Sequence, residues 1–129
     1  MEKVSTSHED YLEAIIMLGG SVDDPIRSVD IAKKMGVSKA SVNKAVGLLK
    51  EKGLAEQPYY GDVTLTPLGL EYGQKIYKRH RYLTAFLSKK LGIPEDVAED
   101  EACLMEHAIS DDSFEKWVTY IESLGIVNE

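Results

Sequence analysis

The chain has 129 residues, of which 43% are hydrophobic and 29% are charged, the balance of an ordinary soluble globular protein. No apolar run approaches the ~18–20 residues that a membrane helix needs, and the polar, charged N-terminus is unlike a signal peptide, so we expect no membrane contact. The single cysteine excludes an internal disulfide, and we therefore expect a cytoplasmic protein in a reducing environment.

The net charge of −7 is distributed unevenly along the chain. Residues 1–25 carry −5 and residues 93–129 carry −10, whereas residues 26–60 and 61–92 carry +4 each. A basic middle between acidic ends favours contact with an anion in one region and with cations in another. Solvated surface charge without a partner is the alternative that the charge pattern leaves open.

Three helices are predicted near the N-terminus from apolar residues at helical spacing. Ser7, Ser28 and Ser38 are the expected N-caps, and Gly36 lies in the tight turn between the second and third helices. Two helices joined by such a turn, the second basic and polar at its start, describe a helix-turn-helix. The predicted helices cover residues 8–19, 28–35 and 39–52, and the buried positions expected on the third are Val42, Ala45, Val46 and Leu49.

Two short strands follow the helix-turn-helix, and a turn at residues 60–62 joins them as a hairpin. This combination predicts a winged helix-turn-helix. Pro67 suits the start of a long helix, and two more helices complete a mostly α fold. The strands are expected over residues 54–59 and 63–66, the later helices over 68–91, 94–109 and 111–124, the winged domain over 1–70 and a helical domain over 71–129.

An exposed basic and polar surface of the winged domain is expected to contact double-stranded DNA. Asparagine and serine side chains read base edges, whereas lysines and arginines more often contact phosphates. Tyr60, at the wing tip, is expected to touch the sugar-phosphate edge. The full set of expected DNA-binding residues is Arg27, Lys33, Lys34, Ser38, Lys39, Ser41, Asn43, Lys44 and Tyr60.

Cys103, Glu106 and His107 lie at positions i, i+3 and i+4, which share one face of a helix. All three side chains are of metal-ligand types. An inert buried cysteine beside a surface Glu–His pair is the simpler explanation that the spacing leaves open. The positions expected on the neighbouring face, where they serve the core, are Leu104, Met105, Ala108 and Ile109.

Asp10 and Glu13 offer two carboxylates one helical turn apart, and His80 offers a further imidazole. Each of them alone is explained by a solvated helix face or by an ordinary surface histidine. Together with the Cys103 cluster they lie on three predicted helices that could surround one core, which favours a shared metal site.

Several separated motifs resemble the DtxR/MntR family of metal-dependent transcriptional repressors. The motifs occur in the family's order and span residues 7–124. They cover the opening helix at 7–15, the helix-turn-helix at 31–42, the exit from the wing at 65–69, the Arg-His-Arg sequence at 79–81 and the ligand helix at 100–111.

The resemblance implies which residues bind metal. The positions used as ligands for two nearby divalent ions in the manganese-responsive branch are here Asp10, Glu13, His80, Glu106 and His107. Cys103 departs from that branch, which usually has Glu, and resembles the iron-responsive branch, which in turn usually has Met in place of Asp10. Second-site partners typical of the iron branch are replaced by Thr84 and Glu99, and we expect no SH3-like C-terminal domain.

The mixed donor set bears on the choice of ion. Asp10, Glu13 and Glu106 supply the hard oxygens that suit Mn²⁺, whereas the soft thiolate of Cys103 favours Fe²⁺, Co²⁺ or Zn²⁺. We expect Fe(II) or Mn(II), with Fe(II) slightly favoured, at one or two ions per protomer. Cobalt, nickel and zinc are expected to substitute in vitro.

The predicted function is a metal-dependent repressor, not an enzyme, that binds palindromic operator DNA as a homodimer and controls metal-ion uptake genes, as the resemblance implies. One alternative is a winged-helix DNA-binding protein with only a structural metal. A small metal-dependent hydrolase would need an open coordination position, a general base and a substrate cleft, and the sequence shows no separate nucleophile or Gly-rich phosphate loop. A protein-interaction module built on the same helices is the last alternative.

Overall fold

A computed structural model describes residues 4–59 and 62–127 of the chain, which divides into two compact units, Met1–Lys75 and Ile76–Glu129. The boundary between the units falls within one helix, α4. In chain order the elements are α1 (Thr6–Met17), β1 (Ile26–Arg27), α2 (Ser28–Met35), α3 (Lys39–Glu51), β2 (Ala55–Tyr59), β3 (Asp62–Leu65), α4 (Pro67–Ala85), a π-helical turn (Phe86–Lys90), α5 (Glu95–Met105) and α6 (Asp111–Ser123).

Helix α1 begins earlier than its sequence predicts. Ser5 is the N-cap, because its side chain accepts a hydrogen bond from the backbone N–H of His8, and the expected cap Ser7 lies inside the helix. Gly19 follows the helix with φ of 94°, a left-handed conformation that glycine adopts without strain. Leu12 and Ile15 are fully buried on the inner face of the helix.

The predicted helix-turn-helix is confirmed as α2, a turn through Gly36 in the left-handed conformation, and α3. Ser38 caps α3, as expected, by accepting from the N–H of Ser41. The expectation that Ser28 caps α2 is wrong. Arg27 occupies the cap position, while Ser28 is fully buried and donates to Asn43 Oδ1 at 3.4 Å. The buried residues of α3 are the four expected ones, Val42, Ala45, Val46 and Leu49.

The wing is part of a three-stranded antiparallel sheet with the order β1-β3-β2. Ile26 pairs with Val63 across β1 and β3, and Ala55 pairs with Leu65 across β2 and β3. Strand β1 was not predicted, because two residues are too few for the alternation that marks a strand. The predicted hairpin is confirmed, although Tyr60 and Gly61 in its turn lie outside the described residues.

The exit from the wing is fixed by local hydrogen bonds around Thr66. Its hydroxyl donates to the carbonyl of Gly53 at 2.6 Å and accepts from the N–H of Gly69, so it caps α4. Pro67 occupies the first helical position, where a missing N–H costs nothing. A Cβ on Gly69 would lie 1.8 Å from the carbonyl oxygen of Leu54, so this position has no room for a side chain.

The second unit packs the end of α4 and the π-helical turn with α5 and α6 around a core that includes Tyr82, Leu83 and Ile121. The expected helix over 68–91 becomes α-helix to Ala85 and a π-helical turn thereafter, and α5 ends at Met105 instead of near residue 109.

The prediction that four residues beside the ligand cluster pack in the core is wrong for two of them. Leu104 is 77% exposed and Ala108 is exposed, whereas Met105 and Ile109 pack against the core. The end of α5 at Met105 explains part of the difference, since the helical spacing behind the expectation does not continue through residue 109.

None of the helices among residues 4–59 and 62–127 combines the length and apolar character needed to cross a membrane.

Candidate metal centre and nucleic-acid interface

Glu106 is the centre of the ligand cluster in the second unit. It is the C-cap of α5, its backbone N–H donates to the carbonyl of Ala102 at 2.9 Å, and the residue is 1% exposed. Both carboxylate oxygens are buried and accept no hydrogen bond from any residue in the described part of the chain. A buried carboxylate without hydrogen-bond donors costs several kcal/mol, which a bound cation would offset.

Two imidazoles flank this carboxylate, one near each oxygen. His80 Nδ1, from α4, lies 3.6 Å from Glu106 Oε2, and His107 Nε2 lies 3.7 Å from Oε1. Both distances exceed a normal hydrogen bond and leave the ring nitrogens close to the carboxylate. An ion placed among these atoms would find nitrogen and oxygen ligands of the kinds that divalent transition metals accept.

Cys103 completes the cluster of the second unit. One ligand atom each from Cys103, Glu106 and His107 lie within 4.8 Å of one another. Although α5 ends at Met105, Glu106 keeps helical backbone angles of −59° and −27°, so His107 continues the helical face as the spacing predicted. The structure thus brings His80, Cys103, Glu106 and His107 together within the second unit.

Asp10 and Glu13 lie on α1 in the first unit. They are one helical turn apart, and Glu13 is 6% exposed whereas Asp10 is half-buried. The neighbouring Glu9 accepts a short hydrogen bond from the hydroxyl of Tyr72, which also accepts from the N–H of Val4 at 3.2 Å. This buried network holds the start of α1 within its own unit.

The described residues expected to contact DNA are all exposed. Ser38 and Ser41 are partly used for structure, since their hydroxyls lie 3.0 Å apart at the start of α3 and Ser38 caps it. Asn43 accepts from buried Ser28, which anchors the base-reading candidate to α2. The exposed set is Arg27, Lys33, Lys34, Ser38, Lys39, Ser41, Asn43 and Lys44, while Tyr60 lies outside the described residues.

Arg27, the N-cap residue of α2, already has a partner on that helix. Its Nε donates to Asp30 at 3.1 Å, and the hydrogen bond and charge of Asp30 raise the pKa of the guanidinium, with a smaller contribution from Asp62. The side chain is fully solvated and keeps its positive charge, so a phosphate would compete with Asp30 for it.

The sequence predicted no role for Arg79 beyond its place in the Arg-His-Arg motif. The residue is 7% exposed and donates hydrogen bonds around the ligand cluster. Its spacing was the available signal: Ile76, Arg79 and Leu83 lie at i, i+3 and i+7, and all three are buried.

The fold and the cluster define a class: a winged-helix DNA-binding protein whose helical unit carries a buried set of metal-type ligands. Comparison with known proteins agrees. The family model "Iron dependent repressor, N-terminal DNA binding domain" matches residues 3–63, and "Iron dependent repressor, metal binding and dimerisation domain" matches residues 66–125.

Individual relatives extend the comparison. An uncharacterised HTH-type transcriptional regulator of Methanocaldococcus jannaschii is 35% identical, over 92% of this chain and 95% of its own length. The transcriptional regulator MntR of Salmonella typhimurium is 31% identical over 91% of this chain and 73% of its own. A solved manganese-dependent transcriptional repressor in complex with manganese superposes with a TM-score of 0.77 and 31% identity over 89% of this chain, which spans 52% of that longer chain.

The chain belongs to the iron-dependent repressor, or DtxR/MntR, family of metal-dependent transcriptional regulators. This confirms the resemblance, the mostly helical winged fold and the expectation of a regulator in place of a hydrolase. The matched domains carry DNA binding, metal binding and dimerisation.

Proposed function

We propose that the protein binds Fe(II) or Mn(II) at the cluster around Glu106, and that the bound ion raises its affinity for palindromic operator DNA near metal-ion uptake genes. The single observation that carries the proposal is Glu106 itself. Its buried carboxylate lies between His80 and His107 and accepts no hydrogen bond from the described residues. A bound cation would stabilise such a group.

The proposed ligands are those that the sequence predicts. His80, Cys103, Glu106 and His107 are supported by their proximity in the second unit. Asp10 and Glu13 are supported by their shared face on α1 and by the resemblance, which assigns both positions to metal. When bound, one or two ions would neutralise the carboxylates and fix the ligand side chains.

The control of DNA binding by metal is proposed to act through the dimer. A dimer that binds a palindrome must present two recognition helices to half-sites about one turn of DNA apart. The bound ion raises DNA affinity if it favours the form of the dimer that meets this spacing.

The DNA contacts proposed for the winged unit follow from exposure and chemistry. Asn43, Ser41 and Ser38 at the start of α3 present groups that read base edges. Lys39, Lys44 and the basic residues of α2 supply phosphate contacts, and we propose that Tyr60 of the wing also contacts the DNA. We propose that the basic segment, residues 26–60, binds the phosphates of the DNA.

A homodimer is proposed from the matched dimerisation domain. The second unit exposes large apolar side chains, Leu91 at 58%, Leu104 at 77% and Tyr120 at 57%, which a partner subunit would remove from water. The proposed boundary between the winged and helical domains, near residue 70, comes before the division between the two compact units. We also propose a cytoplasmic location, because a reducing environment keeps the thiol of Cys103 available as a ligand.

The test is an enrichment of random duplex DNA by the purified full chain, run anaerobically with Mn²⁺, with Fe²⁺ and with chelator. A palindrome recovered only with metal is expected, and the ion giving the stronger enrichment is the preferred effector. The same palindrome under chelator would reduce the cluster to a structural site. No motif under any condition would overturn the proposed function.

A further inference from the structure

Arg79 is a buried arginine whose guanidinium serves the ligand cluster without being a ligand. Its Nη1 donates to the backbone carbonyl of Glu106 at 2.9 Å and to the carbonyl of Ile109, and its Nη2 donates to Asp111 Oδ1 at 2.6 Å. The guanidinium carbon lies 4.9 Å from the ring centroid of Phe114. One side chain of α4 therefore contacts the end of α5, the following loop and the start of α6.

These contacts fix the segment that contains Glu106 and His107. The last carbonyls of a helix have no partner within it, and a cation that donates hydrogen bonds to them is favoured by the helix dipole. Arg79 performs this role for α5 from a different helix, at the C-cap residue Glu106. The adjacent His80 lies against the side chain of the same Glu106, at 3.6 Å.

We infer that Arg79 is a positioning residue: it holds the backbone of Glu106 so that the carboxylate and the imidazole of His107 keep their places as metal ligands. The inference rests on the proposed metal binding. Groups that orient ligands from outside the coordination sphere commonly determine metal affinity. The planar fork of arginine meets three acceptors in fixed directions, which the single ammonium of lysine does not reproduce.

The alternative is a merely structural role in the core, and the two make different predictions. A structural role lowers the stability of the metal-free protein and leaves the metal site of the folded protein unchanged. A positioning role lowers metal affinity and alters the coordination spectrum under conditions where the metal-free variant is fully folded.

The experiment titrates Co²⁺ into the full chain, anaerobically, and follows the d–d and thiolate-to-cobalt absorption bands. Far-ultraviolet circular dichroism measures the stability of the metal-free protein. The variants are Arg79→Lys and Asp111→Asn, with Arg81→Lys as the matched control, because Arg81 is exposed on the same helix beside the ring of Tyr77.

Arg79→Lys is expected to bind Co²⁺ about tenfold more weakly or worse, with a changed d–d spectrum. Asp111→Asn removes the negative charge from one of the three acceptors, and it is expected to weaken binding about threefold. Arg81→Lys is expected to stay within about twofold of the original chain.

Wild-type affinity and spectrum for a folded Arg79→Lys would overturn the inference. If Arg79→Lys does not fold, Asp111→Asn tests the inference in its place. The side chain of Asp111 is 67% exposed in its salt bridge with Arg79, so its replacement does not disturb the core. Unchanged Co²⁺ binding by Asp111→Asn then overturns the inference. Failure of the original chain and of Arg81→Lys to bind Co²⁺ overturns the proposed function together with the inference.

Discussion

The DNA-contact candidates of the Met1–Lys75 unit are exposed where the structure describes them, whereas Glu106 at the centre of the Ile76–Glu129 unit is 1% exposed. The proposed DNA surface consists of residues close together in the sequence of one helix-turn-helix, in which Ser38 caps α3. The ligand cluster is assembled from α4 and α5, and it buries a carboxylate with no hydrogen-bond donor in the described chain. Residues close together in the sequence therefore determine the helix-turn-helix surface, whereas packing between residues distant in the sequence determines the ligand cluster.

The largest expected effect concerns the packing that supports the winged unit. Gly69→Ala places a Cβ 1.8 Å from the carbonyl oxygen of Leu54, a backbone atom that also accepts the N–H of Thr66. We expect the free energy of unfolding to fall by about 3 kcal/mol or more. Urea denaturation followed by circular dichroism measures it.

Gly47→Ala is the matched control for this substitution. Its Cβ meets no atom within 4 Å and the position is inside α3, so the variant is expected to gain about 0.5–1 kcal/mol. A Gly69→Ala protein as stable as the original would contradict the described wing exit.

The second prediction addresses the buried cluster. Glu106→Gln removes the carboxylate that two imidazoles flank, and we expect Mn²⁺ affinity to fall about 100-fold. The metal-free variant should be at least as stable as the original chain, because the substitution removes a buried charge whose oxygens accept no hydrogen bond among the described residues. Calorimetric titration and thermal unfolding measure both quantities. Glu101→Gln, an exposed position of α5, is the control.

The third prediction, with a smaller expected effect, concerns how Cys103 sets the preference between hard and soft metal ions. Cys103→Glu replaces a soft thiolate by a hard carboxylate, so the ratio of Mn²⁺ to Co²⁺ affinity should rise about tenfold. Competition titrations with the two ions measure this ratio. If the thiol is a ligand, Cys103→Ala lowers the affinity for both ions. An unchanged Co²⁺ affinity in that variant would exclude the thiol as a ligand.

The smallest expected effect belongs to the exposed surface. Lys39→Ala and Lys44→Ala should each lower the dependence of log affinity on log salt by about one unit, because each removes one phosphate contact. Binding to a fixed duplex across a salt series gives the slope. Lys90→Ala, exposed in the second unit, should leave it unchanged. Equal slopes for all three variants would disprove the proposed interface.

Local features of the sequence predicted much of the fold. The Gly36 turn, the Ser38 cap and the four buried positions of α3 depend on neighbouring residues, and each is present. Strand β1 was missed because its two residues are defined only by pairing with β3. Ser28 resembled a cap, but its contact with Asn43, fifteen positions away, buries it instead.

The sequence predicted the candidate ligands of the site, but it did not predict the contacts that hold these ligands in place. Helical spacing placed Cys103, Glu106 and His107 on one face, and their proximity follows from it. The role of Arg79 depends on carbonyls 27 and 30 positions away, which no local pattern contains. The end of α5 and the exposure of Leu104 likewise depend on tertiary packing.

The most direct test of the central claim compares DNA affinity with and without metal in one experiment. Fluorescence anisotropy would follow the full chain binding the duplex selected by enrichment, in Mn²⁺, in Fe²⁺ and in chelator, for the original chain and for Glu106→Gln. We predict that metal tightens binding by the original chain roughly 30-fold or more and leaves the Glu106→Gln affinity at the chelator value. Equal affinity of the original chain in metal and in chelator would contradict the account.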